Sequence, residues 1–398
     1  MKLEIEKLDH FGRGVAHIDG KVCFVEGALP GEIVEVEIIK ENKKYLVARA
    51  IDCIQKSLDR VVEKCRYFNR CGGCCFEHYD YEKENIYKEE KVKELVNRFS
   101  KINTTIKGIE YSSCKNYRNK VVLHSKNGVL GYYEKNSNDL VEIDSCNLLD
   151  KRINDLIGNL KELVKNNIGI KEILIRTDND STKVMVKITG EVSNVSFLDD
   201  VDVLVINDKV MTNNEKIISY IGDKKYYLSV DSFFQINKSL TKKLYDEVLD
   251  VVIGLRPNKV LDLYCGTGTI GIYVADYCKK VISVDYSLSN INDAIDNMRL
   301  NNINNIEFIN DKVENVIDKF DNIDLVIVDP PRAGLDKKTI DNLIRIGSDT
   351  IVYVSCDPLT LVRDLDLLSD MYDVMYIKPF NMFPRTYHCE SIVVLERK

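Results

Sequence analysis

Along the first 55 residues, apolar and polar positions alternate in short runs. Ile33-Val34-Glu35-Val36-Glu37-Ile38-Ile39 alternates through its middle, as a half-buried strand should. Turn residues separate the runs: Gly12-Arg13-Gly14, Asp19-Gly20 and Pro30-Gly31. Asp19-Gly20, set between Val15-Ala16-His17-Ile18 and Val22-Cys23-Phe24-Val25, predicts a hairpin. About five short strands in this stretch fit a small β-barrel of the oligonucleotide-binding kind, and equally a generic barrel with no RNA role.

Residues 80–99 are charged, with Tyr81, Ile86, Val92, Leu95 and Val96 at helical spacing. From about 104 to 230, strand-like runs (120–124, 172–176, 184–188) alternate with short helices. After Asp231 the pattern becomes strictly strand–helix. Apolar runs at 260–263, 281–284, 306–309, 325–328 and 350–354 enclose helical stretches such as 290–300, which predicts a parallel α/β sheet. The expected division is a barrel at 1–57, a central α+β domain at 58–230 and an α/β domain at 231–398.

Composition narrows the class. No apolar run approaches the ~18 residues of a membrane span, and 44% hydrophobic with 30% charged residues argues against a disordered chain. Met1-Lys2-Leu3-Glu4-Ile5-Glu6 lacks a signal-peptide core, so a cytoplasmic location is expected. There, twelve cysteines predict ligands, nucleophiles or buried thiols rather than disulfides. The net charge of −7 speaks against a nucleic-acid partner until it is divided. Residues 1–230 hold 37 basic and 37 acidic side chains, and residues 231–398 hold 19 and 26. The first part can therefore still present a basic face.

The chemistry concentrates at the ends of the predicted strands. Asp262-Leu263-Tyr264-Cys265-Gly266-Thr267-Gly268 leads into Thr269-Ile270-Gly271 as strand, glycine turn and helix start, a cradle for a nucleotide-like cofactor. About 20 residues on, Asp285 ends the next strand, where a carboxylate suits two ribose hydroxyls. A nicotinamide dinucleotide is the rival ligand. The acid inside the strand resembles the S-adenosylmethionine loop of class I methyltransferases, a Rossmann-like fold. Asp329-Pro330-Pro331-Arg332 follows the fourth run and resembles the motif of amino methyltransferases. Those want Tyr or Phe where Arg332 stands, which disfavours nitrogen as the acceptor.

Val354-Ser355-Cys356-Asp357-Pro358 closes the fifth run, so Cys356 is a nucleophile candidate beside the crevice. Carbon 5 of uracil is a poor nucleophile until a thiolate adds at carbon 6. The adduct must then lose its carbon 5 proton to a base, and Glu390 and His388 are the candidates. Cys65, Cys71 and Cys74 form a compact set, with Cys114 or Cys146 as a distant fourth ligand. Spacing alone admits zinc or an iron–sulfur cluster. Lys115, Arg118, Lys120 and Lys126, with Tyr117 among them, suit phosphate contact and base stacking, or simply a solvated face.

With these motifs the chain resembles the RNA uracil-5 methyltransferases that modify bacterial 23S ribosomal RNA, together with the related transfer-RNA enzymes. The likeness spans nearly the whole chain. Leu8 to Ser57 looks like the RNA-binding TRAM domain, and Ser232-Phe233-Phe234-Gln235-Ile236-Asn237 looks like the family's segment before the cofactor domain. The resemblance implies S-adenosylmethionine contacts at Gln235, Tyr264, Asp285, Asp329 and Thr269. It implies Cys356 as nucleophile, Glu390 as base and Phe233 as a platform for a flipped base. It also implies a [4Fe–4S] cluster on Cys65, Cys71, Cys74 and Cys146. The expected substrate is a uridine in 23S ribosomal RNA, with the transfer-RNA T-loop as runner-up, acted on by a monomer. A non-catalytic RNA-binding protein and an iron–sulfur redox protein are the rivals from other classes.

Overall fold

The computed structural model describes residues 1–195, 198 and 200–398. Its first sheet has six strands in the order Lys2–Glu4, Ile33–Glu41, Tyr45–Gln55, Lys21–Glu26, Gly14–Ile18, Lys7–Leu8. Val34 and Val36 point inward with Leu3, Val25 and Ala48, while Glu35 and Glu37 point away from that core. The Asp19-Gly20 hairpin forms as the pattern predicts. Both residues have positive φ (49° and 79°), the condition for a two-residue turn that follows strand twist.

The second sheet runs Leu140–Glu142, Val129–Tyr133, Lys120–Lys126, Ile170–Thr177, Val184–Gly190, Val203–Ile206, Lys209–Val210. Helix Lys151–Asn166 covers one face, packing Ile153, Ile157 and Leu160 against Val121, Leu123, Ile173 and Val186.

The third sheet has eight strands: Ile306–Asn310, Lys280–Asp285, Lys259–Leu263, Leu325–Val328, Thr350–Ser355, Glu390–Arg397, Tyr372–Phe380 and Thr105–Ile106. The first five are parallel, as their unbroken apolar runs require when both faces are covered. Glu390–Arg397 then enters antiparallel between Thr350–Ser355 and Tyr372–Phe380.

Two parts of the stretch read as a central domain pack on this third sheet. Helix Tyr81–Phe99 adds Val92, Leu95 and Val96 to the core on one face. The hairpin of Ile217–Ile221 and Lys224–Leu228 adds Ile217, Tyr226 and Leu228 to the other. Strand composition alone does not say which sheet a segment will cover. The barrel is joined to the cysteine-rich loop through Leu8, Leu29, Phe76 and Tyr79.

Candidate active site at the carboxyl edge of the third sheet

Strand Lys259–Leu263 ends in a turn that needs left-handed backbone. Gly266 (φ 55°) and Gly268 (φ 75°) adopt it, and so does Tyr264 (φ 63°), where a side chain is strained. Helix Thr269–Val274 follows at once. Asp285, at the end of the neighbouring strand, braces the turn. Its Oδ2 accepts from Gly266 N at 3.0 Å, and its Oδ1 from Ser287 N at 2.8 Å and Asn290 Nδ2 at 3.2 Å. Asp262 is buried beneath, accepting from Ser283 Oγ at 3.2 Å, and burial pushes its carboxyl up to about 7. A Cβ at residue 271 would lie 2.8 Å from that carboxylate, so Gly271 is required by the acid in the strand.

The other expected cofactor residues take different places. Thr269 Oγ1 accepts from Tyr245 OH at 2.9 Å and its carbonyl from Tyr226 OH at 3.1 Å, so it is held from the protein side. Gln235 is 4% exposed, and its side-chain amide has no hydrogen-bond partner among the described residues. A buried amide left open in this way suits a polar ligand. Its neighbour Phe234 packs on Tyr226, which ties this segment to the start of the Thr269 helix. Asp329 stands at the end of Leu325–Val328, and burial pushes its carboxyl upward.

The antiparallel entry of the last strand builds the reactive corner. Ser355 pairs with Ser391, so Cys356 and Glu390 emerge side by side from adjacent strands. Burial drives the Glu390 carboxyl up, Asp329 drives it further, and Arg332 opposes both. The Cys356 thiol is pushed up to about 12, first by burial and then by the charges of Glu390 and Asp329. Arg332 is the nearby cation that favours its thiolate. In sequence Arg332 stands out only as a departure from the amino-methyltransferase pattern. His388 is held neutral, since burial lowers it to about 4, which makes it a weak base. Phe233 is 59% exposed, two residues from Gln235.

Cys65, Cys71, Cys74 and Cys146 line one cavity with Tyr67, Phe68, Tyr132, Ile143 and Leu148. Cys114 lies elsewhere, with Arg385 Nη2 donating to its Sγ at 3.7 Å. Cys75 packs beside the cluster of Leu8, Leu29 and Phe76. Among the described residues, no group of three or more His, Cys, Asp or Glu is arranged so that it could hold a metal ion.

The expected basic–aromatic patch needs one correction. Tyr117 is 1% exposed and donates to Pro384 O at 3.1 Å, so it is a core residue and not a stacking platform. Lys115 and Lys126 are exposed, and Arg118 lines the cysteine cavity.

A doubly wound sheet with this glycine turn, bracing acid and crevice carboxylates is the build of an S-adenosylmethionine-dependent methyltransferase. Comparison with known proteins gives the branch. A family model described as tRNA (Uracil-5-)-methyltransferase matches residues 206–398, and one for the TRAM domain matches residues 1–51. A Clostridium tetani protein named as an uncharacterized RNA methyltransferase is 33% identical over 96% of this chain and 93% of its own length. A Halalkalibacterium halodurans protein of the same description is 32% identical over 100% and 97%. Among solved structures, the Pyrococcus abyssi tRNA (uracil-54, C5)-methyltransferase in complex with S-adenosyl-L-homocysteine is similar at a TM-score of 0.82 and 27% identity. It covers 99% of this chain and 100% of that one. The chain belongs to the RNA (uracil-5-)-methyltransferase family and is an S-adenosylmethionine-dependent enzyme.

Proposed function

We propose that the protein methylates carbon 5 of a specific uridine in 23S ribosomal RNA through a covalent bond between Cys356 and carbon 6. The observation that carries this reading is the meeting of Cys356 and Glu390 across adjacent strands at the cofactor edge. Bound S-adenosylmethionine supplies an electrophilic methyl group. Gln235, Tyr264, Asp285 and Asp329 would hold it, with Thr269 shaping the turn beneath.

The chain's own residues do the rest. Phe233 stacks on the flipped uracil, which must leave its helix to reach the crevice. Cys356 Sγ adds to carbon 6, helped by Arg332, and the electron pair moves to carbon 5. Once carbon 5 carries the methyl group, Glu390 removes its proton. The pair returns toward carbon 6 and expels Cys356 as thiolate. A carboxyl whose affinity for protons is raised by burial and by Asp329 is a stronger base than a solvated glutamate.

In the same reading, Cys65, Cys71, Cys74 and Cys146 hold a [4Fe–4S] cluster. Four thiols around one largely apolar cavity support it. Iron and acid-labile sulfide analysis of anaerobically purified protein tests this.

One observation favours a second substrate, a transfer-RNA uridine. The Pyrococcus abyssi enzyme named for uracil-54 aligns along 99% of this chain, so the barrel does not by itself separate the two RNA classes. Mass mapping of 5-methyluridine after deletion of the gene decides between them. Loss at a 23S position is expected. Loss only in the T-loop selects the second reading, and unchanged levels in both RNAs refute the proposed function.

A further inference from the structure

The cavity at Cys356 is not made by the methyltransferase sheet alone. Its lining includes His10 and Phe11 of the barrel, Lys91 of helix Tyr81–Phe99, and Tyr387 and His388 of the segment before the last strand. Four aromatic rings meet there. His10 and Phe11 have ring centroids 4.0 Å apart, Phe11 meets Tyr387 edge-on at 5.6 Å, and Tyr387 meets His388 at 4.2 Å.

The arrangement is held rigidly. Asp9 Oδ1 accepts from Phe11 N at 3.0 Å and Arg13 N at 2.8 Å, fixing the loop that carries Phe11. Tyr87 OH donates to Asp9 O at 2.7 Å. Buried Lys91 donates to His10 O and to Tyr387 O, joining barrel and catalytic segment at the same point. Yet Phe11 is 43% exposed, although a core ring of this size would be covered. The rim carries Arg13, whose guanidinium lies 5.3 Å from the Phe11 centroid and is paired with Asp9. The lining carboxylate, Asp357, is engaged as a helix cap, accepting from Leu359 N at 2.8 Å and Thr360 N at 3.2 Å.

A uridine drawn out of its stack to Cys356 brings its neighbours along the same strand. The rim of the Cys356 cavity offers them the exposed ring of Phe11, with the imidazoles of His10 and His388 and the Arg13 guanidinium close by. That is the chemistry of sequence-tolerant base stacking. We propose that the exposed rim of this cavity, whose interior of about 20 Å³ is too small for a base, is a subsite for the unpaired nucleobase flanking the target uridine, with Phe11 of the barrel as its stacking ring. The inference rests on the uridine-methylating reading above. It makes the TRAM barrel a wall of the active site as well as an RNA anchor.

The test uses the full-length protein and a stem–loop RNA spanning the mapped uridine, either intact or with an abasic nucleotide at each flanking position. Phe11→Ala should raise KM for the intact RNA by about tenfold or more, the usual worth of a base stacked on a ring, with kcat little changed. One abasic position should raise the wild-type KM similarly, and Phe11→Ala should then add nothing. Phe11→Trp should retain the wild-type KM. If Phe11→Ala has no effect, or if its effect multiplies with every abasic substitution, the subsite is overturned. Capture of Cys356 by the same RNA bearing 5-fluorouridine reads the chemistry independently. Capture without the Phe11 effect overturns the subsite alone. If wild-type protein neither methylates nor is captured by the RNA, the proposed function falls and the subsite with it.

Discussion

Cys356 occupies a crevice that resists its own charged form. Burial and the carboxylates of Glu390, Asp329 and Asp357 hold the thiol at about 12, and Arg332 pulls the other way. Replacing Glu390 by Gln removes one of those negative neighbours. The Cys356 thiol should then alkylate faster with iodoacetamide at pH 8. Turnover should nevertheless fall by roughly 10²–10⁴, the usual worth of a positioned base. Because the adduct then keeps its carbon 5 proton, a covalent protein–RNA band should accumulate on denaturing gels. The wild-type pH profile has a definite sign. Glu390 must be ionised to accept the proton, and its environment raises its affinity for protons. The methylation rate should therefore rise with pH from 6 toward 8, well above the ordinary carboxylate range near 4.3. A rate flat over that interval would remove Glu390 from this role.

Helix Tyr81–Phe99 shows why charged residues in a helical pattern need not be solvated. Lys88 and Glu84, one turn apart, are both fully buried and pair at 2.9 Å. Lys88 Nζ also donates to Asn381 Oδ1 at 2.6 Å and Phe383 O at 3.1 Å, and Glu84 Oε1 accepts from Arg385 N at 2.9 Å. The pair thus clamps the segment that leads to His388 and Glu390. Lys88→Ala would remove the closest cation of Glu84 and leave it to Arg385, whose Nη1 stands 3.5 Å from Oε2, at a cost of about 1.5–3 kcal/mol. Chemical denaturation should show that loss, and Lys88→Met with Glu84→Gln should recover part of it. Arg385 extends the clamp. It has left-handed backbone (φ 67°), and its Nη1 donates to Phe76 O and Tyr79 O, while Cys75 N and Phe76 N donate to its carbonyl. The loop after Cys74 is therefore bonded directly to the loop before Glu390.

Across the whole molecule, the barrel is seated by close contact. Gly12 has φ 77°, and a Cβ there would stand 2.5 Å from Cζ of buried Phe76. Gly12→Ala should cost about 1–3 kcal/mol through strain and overpacking. It should speed proteolytic release of the barrel while leaving the isolated methyltransferase sheet folded; an unchanged cleavage rate would show that this contact does not hold the seam. The charge division fits the same architecture. The acidic excess belongs to residues 231–398, which hold the proposed reacting residues, while Phe11, proposed to stack on the flanking base, lies in the balanced first 230.

Much of this was legible in the chain alone. The five parallel strands announced themselves as apolar runs because a sheet covered on both faces tolerates few polar positions. The glycine turn was visible because left-handed backbone selects glycine, and the Asp19-Gly20 hairpin for the same reason. Cys356 stood out at the end of a strand run, Glu390 as a carboxylate near the C-terminus, and Cys65, Cys71 and Cys74 at short spacing, while the family resemblance named Cys146 as the fourth ligand. Only the tertiary structure decided which of them meet. Cys356 and Glu390 are 34 residues apart in the chain and become neighbours because the last strand inserts antiparallel, a choice made by pairing with both flanking strands. Cys146 and not Cys114 lines the cysteine cavity, and Tyr117 is core and not surface, because side-chain direction follows packing that local pattern does not encode. Phe11 reaches the Cys356 cavity from the far end of the chain for the same reason: docking of the barrel depends on contacts among distant segments, which periodicity along one segment cannot express.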